Sequence, residues 1–300
     1  MTAKRELHTL NHCPICESEE LENYLASKDF TFSKEGFTVQ QCQNCGFRFT
    51  NPIPKEEEIG HYYGADNYMS HATKNKKGLL PFVYKRVRTM NVNRKLKLVN
   101  KHAKGKQLLD IGAGNGFFLN ACKEKGYTVT GIEPDEKARA VARTDFGLQL
   151  KDPSELPELP DHSFDVITMW HVLEHVYHLK RDIKHYLRVL KEDGSLIIAL
   201  PNIDSYDAKY YKEYWDGLDL PLHLYHFTPK DVVRLFDEFD VELSEMKPMK
   251  FDAYWVAMNS EKFKGGFLPK AFYIGWKSNL KAKNGFYSSQ MYVLKKKKAK

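Results

Sequence analysis

The chain has 300 residues, 42% of them apolar and 28% charged, enough material for one full α/β domain with a smaller appendage. It holds no run of eighteen apolar residues, and MTAKRELHTL at the start has no apolar stretch fit for a secretory signal, so the expectation is a cytoplasmic protein without a membrane span. Of the formal charge of +7, the tail KKKKAK supplies five lysines; without them 41 basic side chains (46 less 5) face 39 acidic ones.

In chain order, the first feature is a pair of Cys-x-x-Cys turns, Cys13 with Cys16 and Cys42 with Cys45, the second followed by a glycine. Two such turns place four thiolates tetrahedrally around one zinc ion, and with all four positions taken the metal is structural. The intervening TFSKEGFTVQQC alternates like a hairpin turning around Gly36, so residues 1–55 read as a zinc-ribbon-like module. Residues 56–97 read as a helical, tyrosine-rich linker and lid, with a short helix from Lys55 to Gly60 and a cluster of Tyr62, Tyr63 and Tyr68. From Asn67 to Leu109 twelve Lys and Arg appear without one Asp or Glu, a block suited to an anionic partner such as a phosphate-bearing small molecule.

From Gln107 strands and helices alternate: QLLDIG, helix GFFLNACKEKG, YTVTGIEP, helix DEKARAVARTDFG, a short strand LQL, FDVITMW, helix DIKHYLRVLKEDG and SLIIALP. Helix TPKDVVRLFDEF and strands VELSEMKPM and SSQMYVLKKK follow. The rhythm predicts a Rossmann-like, doubly wound, mostly parallel sheet of seven strands covered by helices. Cys122, on the helix after the first strand, reads as a small buried hydrophobe.

In such sheets ligands sit beyond the carboxyl ends of the strands, where Asp110, Glu133, Trp170 and His171 gather. Gly112, Gly114 and Gly116 let backbone approach a ligand, but their spacing falls one residue short of a pyrophosphate grip. Glu133, twenty-three residues after Asp110, is placed to accept both hydroxyls of a ribose. Asp110 would repel a pyrophosphate and instead holds an ammonium group. A nucleoside with an amino-acid end fits both carboxylates, and S-adenosylmethionine is such a molecule.

LLDIGAGNG, GIEPD, FDVITMWHVLEHV and LKEDGSLIIALPN, in that order, make residues 98–247 resemble the class I S-adenosylmethionine-dependent methyltransferases. The resemblance implies that Asp110, Gly112 and Gly114 line the methionine end, that Glu133 binds the ribose hydroxyls and that Pro134 flanks the adenine. Asp152 is the counterpart for the adenine amino group, and Trp170 lies against the cofactor. The front end, CGFRFTNPIPKEEEIGHYYGADNY, and the segment YWDGLDLPLHLYHFTP resemble bacterial methyltransferases of small molecules, sugars on nucleotides among them. Residues 98–300 then form the methyltransferase domain, with substrate-wall insertions at 203–228 and 250–285. A hydroxyl or carbon-acid acceptor needs a base, for which His171, His175 and His226 are the candidates and Tyr68 a lid group.

Three other readings compete. An RNA methyltransferase would use the ribbon and the lysines to bind nucleic acid, although the ribbon is not notably basic. HVLEH, His171 to His175, fits a zinc-peptidase pattern in which two histidines share a helix face with Glu174. A non-catalytic zinc module with a vestigial sheet is the third. The segment GGFLPKAFYIGWKSNLK is expected to pack as aromatic core rather than touch a membrane.

Overall fold

The computed structural model describes residues 6–63, 79–282 and 285–298, with backbone alone for 79–85 and 87. Tyr68, Lys74, Lys76, Lys77 and Lys300 lie outside the described residues. The elements are β1 (Leu7–His8), β2 (Leu21–Lys28), β3 (Gly36–Cys42), β4 (Arg48–Thr50), β5 (Ile53–Pro54), α1 (Leu79–His102), β6 (Gln107–Ile111), α2 (Phe117–Glu124), β7 (Thr128–Ile132) and α3 (Glu136–Phe146). There follow β8 (Phe164–Trp170), α4 (Leu179–Val189), β9 (Leu190–Pro201), α5 (Tyr206–Tyr211), β10 (Tyr225–His226), α6 (Pro229–Asp237), β11 (Val241–Pro248), α7 (Asp252–Lys264), α8 (Leu268–Lys281) and β12 (Ser289–Lys296).

The expected hairpin is β2 with β3, antiparallel from Leu21↔Cys42 to Lys28↔Gly36. Its turn is organised by Asp29, whose carboxylate accepts the amides of Thr31, Phe32 and Ser33 at 2.6 to 2.9 Å, while Gly36 begins β3. The expected helix at Lys55–Gly60 is instead a turn leading into a 3-10 segment, Ile59–Tyr62. β3 pairs with β4, and β4 with β10, giving a four-stranded sheet in the order β10-β4-β3-β2. The sheet that holds the hairpin is thus completed by a strand from residues 225–226, far along the chain.

The larger sheet runs β11-β12-β9-β8-β6-β7, with β6 parallel to both β7 and β8. Among the described residues it has six strands, one fewer than expected. LQL does not form a strand; only Lys151, just after it, bridges Ile132, through Lys151 N to Gly131 O at 2.8 Å and Glu133 N to Lys151 O at 3.0 Å. β8 is buried along nearly its whole length, as a central strand of a covered parallel sheet must be. α3 starts where Asp135 accepts the Ala138 amide at 2.7 Å and stops at Gly147, which takes φ +62°. α4 ends at Val189 rather than running on to Gly194, because Leu190 onward joins β9.

The chain divides into two compact units of interleaved segments. One comprises residues 1–64, 173–179 and 199–292; the other comprises 65–172, 180–198 and 293–300.

Candidate functional site

In the unit built around β6, β7 and β8, the chain leaves β6 for β7 on one side and then crosses to β8 on the other, so the strand order reverses between β6 and β8. Asp110 lies on β6 in register with Gly131 of β7 and Thr168 of β8. Its carboxyl is 1% exposed and accepts the Thr168 hydroxyl at 2.5 Å. Burial pushes Asp110 up to about 7; the Thr168 hydroxyl and the Lys95 ammonium pull it down, and the like charge of Glu133 raises it.

Glu133 follows β7 directly and is also buried. One of its oxygens accepts the Gly114 amide at 2.7 Å and the other the Asp135 amide at 2.9 Å, so the carboxylate ties the glycine turn to the loop beyond β7. Gly112, Gly114 and Gly116 all have positive φ. Their amides are bonded within the protein: Gly112 to Ile132 O at 2.8 Å, Gly114 to Glu133 and Gly116 to Ala113 O at 3.0 Å. A ligand on this turn therefore meets carboxylate oxygens and open space rather than these three N–H groups. Among the described residues nothing lies within 4 Å of where a Gly114 side chain would stand, whereas at Gly112 a methyl would lie 2.4 Å from Val172 Cγ2.

Arg139 donates to the carbonyls of Glu133 and Pro134 at 2.6 and 2.9 Å and to Asp152 at 3.1 Å, which fixes the loop after β7. Asp152 also caps the turn Pro153–Glu158 through the Ser154 amide, and its hydrogen bonds to Ser154, backed by Arg139, hold its carboxyl below the usual range. Trp170 ends β8, packs edge-on against Phe118 at 5.1 Å between ring centroids, and carries Lys95 Nζ over its ring at 4.4 Å. The Trp170 indole N–H is buried without a hydrogen-bond acceptor among the described residues. His171 follows in the left-handed region at φ +58°, which is uncommon for a residue with a side chain and concentrates at functional sites.

Sequence reading missed Thr168 and Lys95. Thr168 becomes visible only once β6 and β8 are aligned in parallel. Lys95 belongs to the acid-free basic block, yet it serves Asp110 and Trp170. Arg88 and Lys106 of the same block stack over Phe117 and Tyr127 at 4.0 and 4.2 Å.

His175, His223 and His226 lie in the unit formed by residues 1–64, 173–179 and 199–292. His175 Nδ1 donates to Leu222 O at 3.0 Å and His223 Nδ1 to Gly217 O at 2.9 Å, with the two rings 4.7 Å apart. Burial, reinforced by His223, drives His175 down to about 4. Nitrogen and carboxylate atoms of Glu174, His175 and His223 lie within 4.8 Å of one another. His226 bonds to Thr50 Oγ1 at 3.1 Å and is driven by burial to about 3. The peptidase pattern fails on geometry: His171 is left-handed and Leu173–His175 is a 3-10 turn, so no helix face carries both histidines.

In that unit the four cysteine sulfurs also lie within 4.8 Å of one another, with Cys13–Cys45 and Cys16–Cys42 at 3.5 Å and all thiols free of disulfides. A tetrahedron with bonds of about 2.3 Å has edges of roughly 3.8 Å, close to these distances. Backbone amides of Ile15 and Cys16 donate to Cys13, that of Ser18 to Cys16 and that of Phe47 to Cys45. The donor set fits a four-coordinate thiophilic metal.

A nucleotide-type sheet with paired carboxylates at its switch point defines a Rossmann-like enzyme class. The family model described as methyltransferase domain matches residues 84–245, and the chain belongs to that family. Among curated relatives, a ubiquinone biosynthesis O-methyltransferase of Idiomarina loihiensis is 30% identical over 133 residues, 42% of this chain and 52% of that protein. A probable S-adenosylmethionine-dependent methyltransferase of Mycolicibacterium smegmatis is 27% identical over 125 residues, 41% of this chain and 45% of that protein. The chain thus spans about half the length of the curated relatives it matches. The magnesium protoporphyrin IX methyltransferase of Synechocystis PCC 6803, solved with bound SAH, shares the fold at a TM-score of 0.54 and 14% identity over 81% of this chain and 100% of its own. No helix of the described residues is long and apolar enough to cross a membrane.

Proposed function

We propose that the protein transfers the methyl group of S-adenosylmethionine to a hydroxyl of a small molecule, a sugar carried on a nucleotide or a polysaccharide precursor, and that its four cysteines hold a structural zinc ion. The observation that carries the reading is the pair of buried carboxylates, Asp110 and Glu133, at the ends of adjacent parallel strands. When bound, the cofactor supplies an electrophilic methyl on a sulfonium. Asp110 holds the cofactor's ammonium group, and Glu133 accepts ribose hydroxyls. Trp170 offers a buried indole donor, Pro134 flanks the adenine, and Asp152 faces the adenine amino group. In-line displacement asks mainly for positioning and exclusion of water. His171, held left-handed after β8, is the first candidate to take the acceptor's proton; His175, kept neutral by burial, is the second and His226 the third.

The sugar class rests on the likeness of the cysteine front and of YWDGLDLPLHLYHFTP to small-molecule methyltransferases. Oxygen as the accepting atom accords with the name of the Idiomarina relative, an O-methyltransferase. Methyl-labelled cofactor incubated with the protein and fractionated cell extract tests the reading. Label in nucleotide sugars or lipid-free glycan precursors is the expected result. Label in RNA would shift the acceptor to nucleic acid, and absence of calorimetric cofactor binding would remove methyl transfer altogether.

A further inference from the structure

We propose that the α7–α8 hairpin docks on an anionic lipid bilayer, lying on its surface without crossing it. α8 is inverted for a core helix. Its small residues, Ala271, Gly275 and Ser278, are buried with Ile274, and Gly275 sits where a methyl would lie 2.9 Å from Tyr254 Cα. Its large residues point outward: Leu268, Phe272, Trp276 and Leu280, spaced four apart, form one stripe with Tyr273 beside it, each about half exposed. Phe267, between the helices, is 63% exposed, and Trp255 on α7 is 53% exposed. Seven of the twelve exposed large hydrophobic side chains among the described residues fall on this hairpin. Expected aromatic core packing is therefore not what these residues do.

Charge selects the occupant. From Lys262 to the end of the chain there is no Asp or Glu; Lys262 and Lys264 in the last turn of α7 and Lys281 in that of α8 are exposed, Lys264 with its ammonium over the Tyr210 and Tyr214 rings at 5.6 and 5.8 Å. The hairpin's acids are Asp252, in the first turn of α7, and Glu261, which is buried and bonded to Tyr211 at 3.1 Å. A symmetric contact between two copies would set this cationic patch against itself. Exposed aromatic and leucine side chains on a hairpin whose exposed charges are lysines match instead the acyl–headgroup boundary of an anionic membrane. No described helix is apolar enough to span, so the mode is surface binding. This surface is independent of the methyl-transfer reading and does not stand or fall with it.

The test is co-sedimentation of the full chain with vesicles of phosphatidylcholine alone and of phosphatidylcholine mixed with phosphatidylglycerol. The expected result is binding to the anionic vesicles, weakened by salt and accompanied by blue-shifted tryptophan emission. Lys264→Glu with Lys281→Glu lowers the partition coefficient by roughly 30-fold or more. Phe272→Ser with Trp276→Ser abolishes the emission shift, while unchanged thermal unfolding shows that the chain still folds. Should that pair misfold, Phe267→Ser in the loop carries the same expectation. Absence of binding to anionic vesicles, equal binding by these variants, or self-association lost in the aromatic variant would each overturn the proposal.

Discussion

Asp110 is buried more deeply than an ordinary carboxylate tolerates, and that burial makes its charge sensitive to whatever binds beside it. Its folded value of about 7 stands above the roughly 3.9 of an unfolded chain, so the folded protein retains a proton that the unfolded chain gives up. The stability this supplies is complete below about pH 4 and is lost as pH rises through about 7. A cationic ligand reverses the preference, because an ammonium group favours the ionised form. Cofactor binding should then release a proton below pH 7, and affinity should climb with pH and level off above it. Titration calorimetry in two buffers of different ionisation heat measures the proton directly. Asp110→Asn should abolish the release and weaken binding about 10- to 100-fold, the worth of a charge-assisted hydrogen bond. Unaltered affinity in that variant would remove Asp110 from the cofactor site.

The turn between β6 and α2 separates two reasons for a glycine. Gly112 needs its positive φ and has Val172 against it, so Gly112→Ala should destabilise the fold by about 2–4 kcal/mol from strain and overpacking together. Gly114 needs positive φ but faces open space, so Gly114→Ala should cost about 1 kcal/mol of stability. Its larger effect should be on the ligand, a tenfold or greater loss of cofactor affinity, since the new methyl occupies the approach. Thermal unfolding paired with calorimetry separates the two; equal losses in both assays for both variants would deny the distinction. Glycine spacing and the interval from Asp110 to Glu133 made this element legible in the sequence. Thr168 and Lys95 were not, because each reaches Asp110 through sheet register or helix packing, which local pattern does not encode.

Across the molecule, the βα rhythm was legible because each strand and helix carries its own periodicity and caps, while long-range assembly was not. LQL reads as a strand by composition, yet only the bridge at Lys151 follows it. The cysteine front reads as a module ending near residue 55, yet β4 takes its outer partner, β10, from residues 225–226. Thr50 N donates to Leu224 O at 2.9 Å, its hydroxyl donates to His223 O at 2.6 Å, and Arg234 donates to Cys45 O at 2.9 Å. A metal held by the four cysteines would therefore stabilise the 222–228 segment along with the ribbon, because binding energy at such a site is folding energy. Stripping the metal with a chelator, or replacing Cys16 and Cys45 by serine, should remove hydrogen-exchange protection from β2, β3 and β4 and, in the same step, from Tyr225 and His226. A ribbon that folded alone would lose protection only up to about residue 55. Protection at Tyr225 that survives metal removal would show that the strand pairing, and not the metal, holds this segment in place.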